Sequence, residues 1–183
     1  MTIFHRSLLV VAAALASLAS ATNVPEDVYQ VTNLGDGTAS WQSVTNTSAP
    51  AIIVTYEATL STKARSAKFA KRTDRTDCWG HMLNRGDTDS ALQGLRQWAG
   101  SGRDLSSGPG PYYLTVKRGD MIAYYCITRG WQTGNLHIDD VNHAIRKMDE
   151  KCRPYEASWY GWDGGLEIVG KSRIQDQVCI GPF

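Results

Sequence analysis

Residues 112–128 read YYLTVKRGDMIAYYCIT, and this stretch decides the fold. Aromatic and β-branched residues fill the two runs 112–116 and 121–128, which is the composition that strands favour. Between the runs lies Arg118-Gly119-Asp120, where glycine and aspartate are typical turn residues. The stretch therefore predicts an antiparallel β-hairpin.

One helix is predicted on each side of this hairpin. Before it, Asp87 or Thr88 can cap a helix that ends at residues 100–102, Gly-Ser-Gly. After it, a second helix starts near Ile138 and stops at Pro154. Helical spacing joins the apolar positions Ala91, Leu92, Leu95, Trp98 and Ala99 in the first helix, and Ile138, Val141, Ile145, Met148 and Cys152 in the second.

Further strands are predicted downstream. Residues 158–162 and 166–169 flank Asp-Gly-Gly at 163–165, which is a strong turn signal. A last strand is predicted over 177–180. The resulting order of elements, α-β-β-α-β-β, predicts an α+β fold: a two-layer α/β sandwich with two helices on one face of an antiparallel sheet.

Four cysteines support an exported, cross-linked domain. They are Cys78, Cys126, Cys152 and Cys179, separated by 48, 26 and 27 residues. An even number in a domain of this size predicts two disulfides. The wide spacing excludes C-x-x-C zinc patterns, and paired sulfurs cannot act as nucleophiles. We therefore expect no metal and no cofactor.

The first 21 residues have the features of a secretory signal peptide. An apolar run follows Arg6, and the segment 1–21 ends in Ala-Ser-Ala, so signal peptidase would cut after Ala21. The alternative is an N-terminal membrane anchor, but the apolar run is shorter than the roughly 20 residues that a membrane span needs. No other segment has the character of a transmembrane helix. We expect a secreted, extracellular protein.

Residues 22–72 are predicted to be a pro-segment that ends at the dibasic pair Lys71-Arg72. Cleavage there would leave a disulfide-linked domain over 73–183. The segment includes Asn46-Thr47-Ser48, a glycosylation sequon. The alternative is that part of the segment belongs to the fold, because residues 51–56, AIIVTY, have strong β-strand character.

The charge balance excludes two classes of partner. The whole chain carries a formal net charge of +1, and residues 73–183 hold 4 Lys and 9 Arg against 11 Asp and 3 Glu, which gives −1. A nearly neutral domain lacks the basic surface that binds nucleic acid or an anionic membrane. We expect a monomer whose partner is a protein or a glycan on a host or competitor cell.

At these residues the domain resembles the smut-fungus killer toxin family and related small secreted fungal effectors. The matching pattern starts at Met121-Ile122-Ala123-Tyr124 on a strand and continues through helix 138–151 to Cys152-Arg153. It ends with the turn at 163–164 and a strand that finishes at Cys179. The resemblance covers roughly residues 77–180 and implies a compact α/β sandwich.

The resemblance also implies how the cysteines pair. In the family the first cysteine bonds to the one that ends the second helix, which would give Cys78–Cys152 and leave Cys126–Cys179. Two features depart from the smut toxin. It has more disulfides, and its channel-blocking activity is associated with a basic residue upstream of the Ile-x-Ala-Tyr-like strand. Here Lys117 and Arg118 are the nearest candidates for this binding role, but neither falls at the matching spacing, where Tyr113 lies.

Three tryptophans are candidate binding residues. Trp131 lies in the loop sequence RGWQTGN at 129–135, and exposed aromatic side chains anchor protein partners and stack on sugars. Trp159 and Trp162 lie along one predicted strand, where they either form an aromatic surface or fill the core. These residues keep a secreted carbohydrate-binding module open as an alternative function.

A third class is a small secreted ribonuclease-type hydrolase. Such chemistry needs a general base, a general acid and a cationic phosphate clamp. Residues 73–183 contain three glutamates and three histidines, but none lies in a Glu-x-x-Arg or Tyr-x-Glu context. We therefore expect a secreted killer-toxin-like or effector protein that acts by binding, not an enzyme.

Overall fold

A nine-stranded β-sheet forms the centre of the computed structural model, which describes residues 18–20, 24–34, 36–56, 74–162 and 165–179. The strand order is β1-β4-β3-β2-β7-β8-β11-β10-β5, and a separate two-stranded ribbon pairs β6 with β9. The strands are β1 Leu18–Ser20, β2 Val28–Asn33, β3 Thr38–Ser43, β4 Ile52–Thr55, β5 Arg75–Met82, β6 Arg103–Ser106, β7 Tyr112–Arg118, β8 Met121–Ile127, β9 Thr133–Leu136, β10 Glu156–Gly161 and β11 Glu167–Arg173.

All neighbouring strands in this sheet are antiparallel except β1, which runs parallel to β4. The predicted hairpin forms as β7 and β8, with Lys117 opposite Ile122 across the turn. The helices are α1 Arg85–Ala99 and α2 Ile138–Lys151. The predicted α+β class, with an antiparallel sheet, two helices and two disulfides, is confirmed.

Side chains and glycine define the helix ends. Asn84 caps α1, because its Oδ1 accepts a hydrogen bond from the backbone N–H of Asp87 at 3.1 Å. This cap lies three residues before Asp87 and four before Thr88, the two predicted caps, and Gly100 ends the helix with a φ of 56°. His137 caps α2: its Nδ1 accepts from the N–H of Asp139 at 3.0 Å. The carboxylate of Asp140 accepts in return from the His137 N–H at 2.8 Å.

Strand β8 is buried on both faces and therefore separates two cores. Ala123, Tyr125 and Ile127 face the two helices, since they cluster with the apolar side chains of α1 and α2. The alternate residues Ile122 and Tyr124 point the other way. We call the apolar cluster on that opposite face the second core.

The second core takes many of its residues from the N-terminal part of the chain. The strand predicted over 51–56 is present as β4, and β2, β3 and β4 lie in the same sheet as the strands of the cysteine-containing part. Cleavage at Lys71-Arg72 stays a prediction, because both residues lie outside the described ranges, as do Ala21 and most of the predicted leader.

Both disulfides follow the pairing that the resemblance implies. Cys78–Cys152 joins β5 to the end of α2. Cys126–Cys179 joins β8 to the segment after β11. The strand predicted over 177–180 is wrong for residues 177–179, because Cys179 has a φ of 61°, a left-handed conformation that interrupts strand geometry. The disulfide holds this irregular segment against the sheet.

Buried tyrosines give the second core a pH dependence. Burial, with a contribution from Asp27, raises the pKa of Tyr29 to about 12, and burial raises the pKa of Tyr56 to about 12. An unfolded tyrosine titrates near 10, so these groups stabilise the fold fully below pH 10. That stability is lost as the pH rises from 10 through 12. We expect the free energy of unfolding, measured with urea, to fall as the pH rises from 10 to 12.

The double variant Tyr29→Phe and Tyr56→Phe is the control for this prediction. It removes two of the titrating hydroxyls of the second core and keeps the rings, so we expect a shallower fall between pH 10 and 12. An identical pH profile for the variant and the natural chain would contradict the assignment.

Candidate functional site

An open groove of about 600 Å³ lies along the β6–β9 ribbon and the start of β11. We call it the ribbon groove. Its walls carry carboxylate, hydroxyl and amide groups and one apolar side chain. The lining residues are Asp104, Leu105, Ser106, Thr133, Gly134, Asn135 and Glu167.

Glu167 is the most strongly fixed polar group of the ribbon groove. Its Oε1 accepts hydrogen bonds from the Tyr125 hydroxyl and from the N–H of Asn135, the latter at 3.0 Å. Burial raises the pKa of Tyr125, and the hydrogen bond to Glu167 raises it further. Tyr125 therefore stays a neutral donor, and within the described part of the chain nothing donates to Glu167 Oε2. That oxygen is available to accept from a ligand.

The rest of the wall continues this network. The Asn135 amide donates to Asp104 Oδ1 at 2.9 Å, which links β9 to β6. Gly134 precedes Asn135 in β9, and a Cβ at this position would collide with the Tyr125 hydroxyl and the Glu167 carboxylate. The backbone needs glycine there so that Glu167 can approach the ribbon.

Trp131 lies two residues before Thr133, just beyond the end of the same ribbon, with 78% of its surface exposed. It has a φ of 60°, which is unusual for a large side chain. Its N–H donates to the carbonyl of Gly108 at 2.8 Å and to that of Ser107 at 3.2 Å. These bonds hold the loop in a conformation that directs the indole into solvent.

The side chain of Ser107 holds this loop in place through hydrogen bonds. Its side chain is buried, donates to the Arg129 carbonyl at 2.7 Å and accepts from the Gln132 N–H at 2.9 Å. Gly130 packs so closely against the Pro109 carbonyl that a Cβ would collide with it. The Trp131 loop, residues 129–132, is therefore a turn that hydrogen bonds and close packing hold in one conformation.

The other candidate binding residues lie elsewhere. Lys117 is only 4% exposed, and its ammonium donates to the Gly119 carbonyl at 2.7 Å. Arg118 is half-buried and donates to the Lys117 carbonyl. Burial makes Lys117 unsuitable for contact with a target while β2 is in place.

The two tryptophans of the predicted aromatic strand belong to the interior. Trp159 is 6% exposed in the second core, with the guanidinium of Arg75 at 5.8 Å from its ring. Trp162 is half-buried and packs edge-to-face on Tyr160 at 5.0 Å. Asn46 of the sequon is exposed in the β3–β4 connection, where a glycan has room.

The histidines are engaged by local partners. His137 caps α2, His81 lies 3.0 Å from the Asp176 carboxylate, and His143 lies 3.2 Å from the Tyr160 hydroxyl. Among the described residues, none of them shares a hydrogen bond with a glutamate. No group of three or more metal-binding side chains occurs in the same ranges. Neither described helix is long and apolar enough to cross a bilayer.

Sequence reasoning identified Trp131 and missed the ribbon groove. Asp104 and Asn135 carry no motif, and Glu167 stands out only as one of three glutamates. Comparison of the chain with protein-family models, with curated protein sequences and with solved structures gives no match. The site therefore rests on its own geometry and chemistry.

Proposed function

We propose that this chain is an exported killer-toxin-like or effector protein that binds a target on a host or competitor cell. The observation that carries the proposal is Trp131, a largely exposed indole on a hydrogen-bonded loop that leads into β9, a strand that lines the ribbon groove. Large aromatic side chains held in one orientation lose little entropy on binding and are typical anchors of interfaces. The two disulfides fit an oxidising compartment.

A second candidate is carbohydrate binding, which the composition of the ribbon groove favours. Carboxylate, amide and hydroxyl groups can pair with the hydroxyls of a sugar, and an indole face can cover its apolar side. Glu167 and Asp104 supply oriented acceptors, and Trp131 supplies the ring. The target would then be a cell-surface glycan.

We expect Trp131→Ala to weaken target binding by at least about 30-fold, because an anchor residue contributes about 2 kcal/mol or more. Binding of the purified, fluorescently labelled chain to plant tissue, competitor fungi, chitin and β-glucan is the measurement. Leu34→Ala is the matched control, since Leu34 is 50% exposed on a different loop. Equal losses for the two variants would contradict a role for the Trp131 loop.

The variant Glu167→Gln distinguishes the contribution of the ribbon groove to binding from that of the Trp131 loop. Glutamine can still accept from Tyr125 and Asn135 but lacks the charge, so the wall keeps its shape. We expect weaker binding to a glycan that enters the groove. Full binding by Glu167→Gln together with lost binding by Trp131→Ala would indicate a protein partner held by the indole alone.

A further inference from the structure

The N-terminal strands, residues 24–34 and 36–56, are not cross-linked to the rest of the protein. Both disulfides lie within residues 78–179. The connection from 57 to 73 is therefore the only covalent link, and it contains the dibasic pair Lys71-Arg72. Whatever else holds the N-terminal strands must be non-covalent.

Backbone pairing is the first non-covalent link. Strand β2 lies antiparallel to β7, with Val28 opposite Val116 and Val31 opposite Tyr113. The pairing extends one step further, because the Lys117 N–H donates to the Asp27 carbonyl at 2.9 Å. Without the N-terminal strands, β7 would become an unpaired edge of the remaining sheet, β7-β8-β11-β10-β5.

The second core is the next link. It contains sixteen buried residues in the described ranges, and seven of them come from the N-terminal strands. These seven are Val24, Tyr29, Val31, Ala39, Trp41, Val54 and Tyr56. They share the cluster with Tyr113, Ile122 and Tyr124 of the hairpin, each at most 2% exposed. Loss of the N-terminal strands would return these three side chains to water.

Opposite charges add a third link at the β7–β8 turn. The Glu26 carboxylate accepts from the Gly119 N–H at 2.9 Å, and its charge acts on the ammonium of Lys117. The charge of Arg118 acts in the same way on Asp27. Two acids of the N-terminal strands thus face the two basic residues of the hairpin.

We propose that cleavage after Arg72 does not release the N-terminal strands, and that residues 74–179 retain them as a non-covalent second subunit. The exported protein would then be a two-chain complex with Lys117 and Arg118 still covered. The inference rests on the proposed processing at Lys71-Arg72, but not on the proposed target. The partner of the hairpin face is the chain's own N-terminal piece.

A second Lys-Arg pair makes the cleavage experiment specific. Lys117-Arg118 has the same sequence as the processing site, but it lies in β7, which pairs with β2 on one side and with β8 on the other. A protease needs an extended, accessible segment, and β7 is paired on both sides, so we expect a dibasic-specific protease to cut the folded chain at Lys71-Arg72 before it cuts at Lys117-Arg118. The cut at 117–118 should occur only after unfolding.

The test is to cut the purified full-length chain with this protease and then compare native and denaturing mass spectra. We expect two fragments under denaturing conditions and their summed mass under native conditions, with one peak in size-exclusion chromatography. The two fragments should elute separately only when urea is present. A lone fragment 73–183 that elutes as a folded species in buffer would overturn the proposal, as would rapid cutting at 117–118.

Variants in the second core test the same interface by graded loss. In the nicked protein we expect Trp41→Ala to raise the dissociation constant of the two fragments by about 100-fold or more, and the milder Val54→Ala to raise it by about tenfold. Trp131→Ala, which lies outside the interface, should leave this dissociation constant unchanged. Unchanged separation for Val54→Ala would overturn the proposal even if Trp41→Ala prevents folding. Target binding is measured separately, so the two proposals fail independently.

Discussion

Replacing Trp41 with alanine is expected to lower the free energy of unfolding by about 3–5 kcal/mol, the range for large aromatic side chains in a core. Trp41 is fully buried, and its ring lies 5.4 Å from that of Tyr29. The truncation leaves a cavity between β2, β3 and the rest of the second core. Urea denaturation of the uncut chain, followed by circular dichroism, measures the loss.

Trp131→Ala is the matched control, because it removes the same side chain from an exposed loop. Its effect on unfolding should stay within about 0.5 kcal/mol, as for most surface substitutions. If Trp41→Ala lowered the free energy of unfolding by as little as Trp131→Ala does, the N-terminal strands would unfold independently of the cysteine-containing part. Such a result would also weaken the case for a two-chain complex.

Removing the Cys126–Cys179 disulfide is expected to cost about 4 kcal/mol, through the double variant Cys126→Ala and Cys179→Ala. The bond spans 53 residues, and closing a loop of that length limits the entropy of the unfolded chain by about this amount. Typical domains are stable by about 5–15 kcal/mol, so the loss is a large share of the total. The urea midpoint should fall accordingly.

The second disulfide provides a comparison within the same protein. Cys78–Cys152 spans 74 residues, and the entropic term grows only with the logarithm of loop length. Its removal should therefore cost nearly the same, about 4 kcal/mol. A loss below about 1 kcal/mol for either pair would mean that its loop keeps native-like order without the bond.

The elements with strong local signals were predictable. The hairpin of β7 and β8 follows from two apolar runs around a turn, and α2 follows from its spacing and from the cysteine at its end. Strand β5 was not predicted, because its sequence RTDCWGHM does not alternate apolar and polar residues and all of its residues are half-buried or exposed. It forms because β10 offers an edge with which it can pair.

The ribbon groove lacked a signal for a different reason. Its two strands read RDLS and TGNL, which are polar and have the composition of loops. The groove brings together β6, β9 and β11, so that Asp104 and Glu167 line one wall although 63 residues separate them. Only Trp131 was visible beforehand, because an indole among glycines and polar residues is unlike a core segment.

The sequence by itself determined the hairpin, the two helices, the α+β class and the pairing capacity of the cysteines, because each depends on periodicity, capping or covalent chemistry over short distances. The tertiary structure alone decided that β2, β3 and β4 extend the sheet, that Lys117 and Trp159 are buried, and that Glu167 faces the ribbon. Those outcomes depend on which distant strands share an edge or a face. Such contacts arise from the combined burial of many side chains, which no single stretch of the chain encodes.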